Sequence, residues 1–319
     1  MKYVLITAAR NEESFIAQTL ESVTRQTQLP EHWVIVDDGS TDGTAEIVEE
    51  YADRFPWISL VCRTTNRRQR HFGGKAEAVN AGFKFLETSE FEIIGNVDAD
   101  ISFGPDLMEY LMQRFGDNPR LGVAGAAYTE ENWDSVKDSF EGEHSVHGAC
   151  QLFRRECFQQ LGGYLAVPGG GVDWIAVTTA RMLGWETRNF PERYFHHHRN
   201  MGTAERSRIG ALFDYGMKDY CLGGSPLWQL FRAAYRTGKR PYVLGGLALF
   251  MGFAWAAVKR MKRPVSPELM RFHRHEQRRK LAAILGDIVR FNKVEKFHLA
   301  SRIKNGRDAA SFGKTAERL

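Results

Sequence analysis

The chain has 319 residues, 43% of them hydrophobic and 26% charged, the balance of a globular protein with room for one large or two modest domains. Its four cysteines, Cys62, Cys150, Cys157 and Cys221, show no paired spacing, which argues against a zinc site and fits a reducing compartment. The net charge of +4 hides a division: residues 232–319 hold 21 Lys and Arg against 6 Asp and Glu, or +15, which leaves −11 before them. An acidic body joined to a basic tail points to an anionic surface as the tail's partner. No nucleic-acid motif accompanies the charge, so we expect no nucleic acid there.

The first residues run straight into a strand pattern over 3–7, so no signal peptide is expected. Ala8-Ala9-Arg10-Asn11-Glu12-Glu13 follows, then an amphipathic helix with Phe15, Ile16, Leu20 and Val23 on one face. A second strand over 33–36 ends in Asp37-Asp38-Gly39-Ser40-Thr41-Asp42-Gly43-Thr44, a glycine turn leading into a helix. A third strand over 58–62 leads to the basic loop 63–70, and Gly73-Gly74-Lys75 opens a helix through Phe85. Strands alternating with helices predict an α/β fold, a mostly parallel sheet wound with helices. The Gly-x-Gly-x-x-Gly fingerprint of dinucleotide-binding dehydrogenases is missing after the first strand, and so is the glycine-rich loop of nucleotidyltransferases.

The central strand carries Ile93, Ile94 and Val97 and ends in Asp98-Ala99-Asp100. Residues two apart on an extended segment face the same side, so both carboxylates converge. Converging carboxylates repel unless a cation lies between them, and Mg²⁺ or Mn²⁺ suits oxygen ligands. Open α/β sheets take their ligands beyond the carboxyl ends of strands.

Taken together these segments resemble the family 2 glycosyltransferases of GT-A fold. Thr7-Ala8-Ala9-Arg10-Asn11-Glu12-Glu13 is similar to their Pro-x-x-Asn-Glu opening, with Ala8 or Ala9 in the proline's place, and the Asp37–Thr44 segment to their second-strand signature. Gly74-Lys75-Ala76-Glu77-Ala78-Val79-Asn80-Ala81-Gly82 resembles their Gly-Lys-x-x-Ala-x-Asn-x-Gly helix, and Asp98-Ala99-Asp100 their metal motif. Gly148-Ala149-Cys150-Gln151-Leu152-Phe153-Arg154-Arg155, with Leu161-Gly162-Gly163-Tyr164, is similar to the stretch before their catalytic base. The resemblance spans roughly residues 3–200. It implies an inverting, non-processive enzyme that uses a nucleoside-diphosphate sugar, a UDP-sugar as first choice. Ala8, Asn11, Glu12, Asp38, Lys75, Asp98, Gly148 and Arg199 would surround the donor. Asp100 would hold Mn²⁺ or Mg²⁺, and Asp173, opening a helix that runs to about Leu183, would be the general base. Val172 stands where the family carries a glutamate before that base. The Gln-x-x-Arg-Trp motif of processive members is absent.

A strand over 190–195 leads into His196-His197-His198, of which His196 and His198 would share a side. We expect His198 to complete the metal shell. Domains are expected at 1–225, catalytic, and 226–319, basic and helical. Residues 242–258 form a seventeen-residue run without a charge, flanked by Lys239 and Arg240 and by Lys259, Arg260, Lys262 and Arg263. Apolar stripes precede it (Leu227, Leu230, Phe231, Ala234) and follow it (Leu281, Ile284, Leu285, Ile288, Phe291). This pattern predicts peripheral or re-entrant association with the cytoplasmic face of a membrane, and a glycan or lipid-linked acceptor. The alternatives are a polyprenyl-phosphate glycosyltransferase and a non-catalytic membrane-bound partner that keeps the nucleotide site.

Overall fold

The computed structural model describes residues 1–63, 72–131, 133–138, 142–167, 169–199 and 208–290. The basic loop after Arg63, Phe291 and the rest of the tail lie outside them. The described residues fall into two compact units, one ending at Arg199 and one made of 208–290. The helix that opens the second unit precedes residue 225, where the sequence suggests a boundary.

In the first unit β1 (Tyr3–Ala9), α1 (Ile16–Thr24), β2 (His32–Asp37), α2 (Thr44–Arg54), β3 (Ile58–Cys62), α3 (Phe72–Leu86) and β4 (Ile93–Val97) follow the expected alternation. Their strands are parallel neighbours in the order β3-β2-β1-β4. β1, β2 and β4 are buried almost throughout, which is why they read as apolar runs and not as alternation. A buried hydrogen-bonded chain crosses them: Trp33 Nε1 donates to Thr7 Oγ1 at 3.0 Å, and Thr7 Oγ1 donates to Val97 O at 2.7 Å.

Then come β5 (Ile101–Phe103), α4 (Leu107–Asp117), β6 (Leu121–Glu130), β7 (Trp133–Asp134), α5 (Ser135–Asp138), β8 (Cys150–Arg154), α6 (Arg155–Leu161), α7 (Val172–Met182) and β9 (Glu186–His197). Here the parallel expectation needs correcting. β8 runs antiparallel to both β4 and β6, and β5 antiparallel to β9, while β6 and β9 are parallel. The sheet is mixed, in the order β3-β2-β1-β4-β8-β6-β9-β5. An antiparallel neighbour needs no helical crossover, so these pairings leave no alternating signature in the chain.

The order also forces a bend. β4 and β5 are separated only by Asp98, Ala99 and Asp100, yet β8, β6 and β9 stand between them in the sheet. Four Cα steps reach at most ~15 Å, whereas four flat interstrand spacings need ~19 Å. The sheet therefore curls around the Asp-x-Asp segment.

The second unit contains α8 (Arg208–Cys221), α9 (Pro226–Arg236), α10 (Leu244–Val258) and α11 (Pro267–Val289). Ser266 caps α11, its hydroxyl accepting from Leu269 N at 3.2 Å ahead of Pro267 at the first helical position. Among the described residues no helix is long and apolar enough to cross a membrane.

Candidate active site

The segment after β1 and the loop after β2 hold each other. Asn11 lies in the left-handed region at φ 54°, which asparagine tolerates better than most residues. Its Oδ1 accepts from Thr41 N at 2.8 Å, and its own N–H donates to Ser40 Oγ at 3.0 Å. Ser40 in turn donates through its N–H to Asp37. This turn sends Glu12 inward, where its N–H donates to Thr44 Oγ1 at 2.8 Å. Asn11 thus shapes the site through the backbone. Ala8 sits beside it at the end of β1, opposite Val36. Asp38 is buried, and Arg63 Nη1 lies 3.0 Å from its Oδ1.

Three of the other expected residues, Lys75, Asp98 and Asp173, meet around Gly148. Lys75, from the first turn of α3, reaches Asp98 Oδ1 at 2.5 Å and donates to Gly148 O at 3.2 Å. Asn96 donates to the same carbonyl at 2.6 Å and to Asp98 Oδ1 at 3.3 Å. The absent side chain of Gly148 also makes room for Asp173: an added Cβ would stand 2.6 Å from Asp173 Cβ and 3.0 Å from its Oδ2. Asp173 occupies the first turn of α7 after Gly171, whose φ of 86° turns the chain into the helix. Val172 is buried in the apolar layer with Val79, Phe158 and Tyr164, so no carboxylate stands before Asp173.

Asp100 is gathered with Asp98 by His197: one ligand-type atom from each lies within 4.8 Å of the others. The expectation of His198 is corrected by register. β5 pairs with β9 so that Ile101 faces His197 and Ser102 faces His196, which buries His197 and turns its neighbours away. His198 lies on the opposite side, with Nε2 2.9 Å from Ser102 Oγ and its ring stacked on Phe15. Desolvation, aided by the neighbouring His196, lowers the pKa of His198.

His197 Nδ1 bonds to the Arg199 carbonyl, which can only accept. Nδ1 therefore carries the proton, and in the neutral ring Nε2 offers its lone pair toward Asp100, 3.6 Å away. Two carboxylates and an imidazole nitrogen gathered this closely suit a divalent cation such as Mn²⁺ or Mg²⁺. Arg199, expected at the donor diphosphate, pairs with Glu12 through both nitrogens of its fork, Nη2 to Oε2 at 2.5 Å and Nη1 to Oε1 at 3.3 Å. Its Nε lies 3.8 Å from Asp100 Oδ2.

Three residues of the site were given no role by the sequence reading, although one of them, Asn80, is the asparagine of the α3 motif. Asn96 had a usable signal, since it precedes Asp98 by two on one strand. His147 had none. It accepts from Ala149 N at Nδ1 and packs 4.3 Å from the Tyr128 ring. Burial lowers its pKa; Asp173 and Asp98 nearby oppose that shift, and His197 and Lys75 add to it. Asn80 brackets Tyr164, donating to its carbonyl at 2.7 Å and accepting from its N–H at 2.9 Å. That clamp fixes the Gly162-Gly163 turn, with φ of 70° and 81°.

Residues 4–138 match the model of glycosyl transferase family 2. The chain carries a family 2 glycosyltransferase domain. A poly-beta-1,6-N-acetyl-D-glucosamine synthase of Staphylococcus epidermidis is 33% identical over 118 residues, 36% of this chain and 26% of that relative's length. The match to that relative thus spans about a quarter of it. Among solved structures, the mannosyltransferase PcManGT of Pyrobaculum calidifontis, in complex with GDP-Man and Mn²⁺, aligns at TM-score 0.54 and 20% identity over 99% of this chain and 86% of its own. S. aureus TarS 1–349 with UDP-GlcNAc aligns at TM-score 0.54 and 14% identity, over 100% and 92%. These likenesses show the GT-A type of mixed α/β fold around the family 2 domain.

Proposed function

We propose that this protein transfers a sugar from a nucleoside-diphosphate donor, a UDP-sugar as first choice, to a hydroxyl of a cell-surface glycan or glycolipid, with inversion. The observation that carries the reading is the cluster of Asp98, Asp100 and His197, joined through Lys75 and Asn96 to Gly148, against which Asp173 is packed. The polymer of N-acetylglucosamine in a relative's name and the UDP-GlcNAc bound by a fold neighbour support the choice of donor.

Asp98, Asp100 and His197 would hold the divalent ion, which, when bound, offers Lewis-acid stabilisation to a leaving diphosphate. Lys75 and Arg199 add fixed positive charge beside those carboxylates. Asp173 accepts the acceptor's proton as its oxygen attacks the anomeric carbon. The bond from that carbon to the diphosphate oxygen breaks, and the nucleoside diphosphate leaves with the electron pair. Glu12 and Asp38 are acceptors suited to ribose hydroxyls and a base N–H. Val172, in place of a carboxylate, favours a second reading, a polyprenyl phosphate acceptor, which arrives ionised and needs no base. The charge division favours a site of action at the cytoplasmic face of a membrane.

Nucleotide release from UDP-, GDP- and other sugar nucleotides, measured with Mn²⁺ and with EDTA, tests the reading. A metal-dependent donor hydrolysis supports it. Failure of every donor to be cleaved or to raise the melting temperature defeats it.

A further inference from the structure

The uncharged run becomes α10, and its two faces meet different surroundings. One face is closed at backbone distance. A Cβ on Gly252 would strike the Phe213 carbonyl of α8, one on Gly216 of α8 would strike the Leu249 carbonyl, and one on Gly246 the Ala233 carbonyl of α9. Gln229 of α9 adds a buried hydrogen bond to Leu249 O at 3.0 Å. The other face is equally apolar and is bare. Leu244, Leu247, Met251, Trp255 and Val258 are between 49% and 79% exposed. Their intervals of three and four residues align them as one stripe. An exposed apolar stripe of this kind marks an interaction surface.

The charges around it choose the partner. Arg240 before the stripe and Lys259, Arg260 and Lys262 after it are exposed. No Asp or Glu occurs from 220 to 267. Lys259 Nζ lies 4.9 Å from the ring centroid of Trp255, so a cation and an interfacial type of aromatic share one end of the stripe. Apolar side chains rimmed only by cations complement an anionic phospholipid leaflet better than a protein surface of mixed charge.

We infer that α10 lies in the plane of an anionic membrane, its Leu244–Val258 stripe among the upper acyl chains and the four cations at headgroup phosphates. Its 15 residues reach only ~22 Å, short of the ~30 Å hydrocarbon core. Its glycine face is already held by α8 and α9, so the helix neither spans nor re-enters. The inference deepens the membrane-side reading above and is independent of the transfer chemistry.

The test sediments full-length protein with phosphatidylcholine vesicles, with and without phosphatidylglycerol, and measures UDP binding on the same samples. Wild type is expected to pellet with the phosphatidylglycerol vesicles. Lys259→Gln and Lys262→Gln should each weaken that binding about fivefold. Leu247→Glu with Met251→Glu should abolish it while UDP binding persists, since the exposed stripe contributes little to folding. Wild type remaining in the supernatant overturns the inference, as does undiminished pelleting of the double glutamate variant. A lipid-free dimer that the glutamates split, without vesicle binding, would make the partner a second copy instead. Vesicle binding without any nucleotide binding would leave α10 at the membrane and count against the transfer reading alone.

Discussion

Arg199 closes a two-pronged ion pair on Glu12, 187 residues earlier in the chain. The carboxylate is almost wholly buried and the guanidinium about one-third exposed. The pair ties the end of β9 to the turn after β1, and the ring of Phe15 lies under the same guanidinium. Two residues that the family resemblance assigns to the donor therefore also hold each other.

Removing one partner alone should cost more than removing both. Arg199→Ala strands a buried carboxylate, and we expect about 1–3 kcal/mol of lost stability, tempered by the water that reaches this site. Arg199→Ala combined with Glu12→Gln should recover part of it. Urea midpoints for the two single variants and the double variant give the coupling directly, and additive losses would refute the pairing.

The proposed metal ligands are separable by their register. His197→Ala should weaken Mn²⁺ binding by at least about tenfold, on the scale that perturbing a metal site's supporting groups already produces. His198→Ala should leave binding unchanged, because its ring faces Ser102 and Phe15. Calorimetric titration of both variants with Mn²⁺ in the presence of UDP decides between them. Equal losses would undo the assignment.

Asp173→Asn should retain donor binding and lose transfer by roughly 10²–10⁴-fold, the usual share of general acid–base catalysis. A hydroxyl acceptor requires this loss. If the acceptor is a lipid phosphate, the loss should nearly vanish, so one variant assayed on both acceptor types identifies the chemistry.

Gly148→Ala should act through Asp173. The new methyl would meet Asp173 Cβ at 2.6 Å, and the helix start or the Gly148 loop must shift. We expect about 1–3 kcal/mol of destabilisation together with lost turnover at retained UDP affinity. Normal turnover would mean that Asp173 need not hold this position.

Much of this protein was legible in its sequence because the signals are local. Alternating apolar strands and helices gave β1 through β4, and the Asp-x-Asp pair could be singled out, although the strand stops at Val97 and a turn, not an extended segment, gathers the two carboxylates. Asn11 and Gly148 could be singled out, although their roles, a left-handed turn and space for Asp173, emerge only in three dimensions. The antiparallel strands β8 and β5 left no trace, because hydrogen bonding between chain-distant strands needs no crossover of its own. The choice of His197 over His198 depended on pairing β9 with β5, and a shift of one residue would have exchanged them. The same holds for α10. Its sequence is apolar on every side, and only packing against α8 and α9 decided which side is core and which is surface. What the chain determines alone is the identity and local spacing of its groups. Which groups meet is decided by register and burial, since those depend on residues outside the local segment, from 20 positions away for Gln229 and Leu249 to 187 for Glu12 and Arg199.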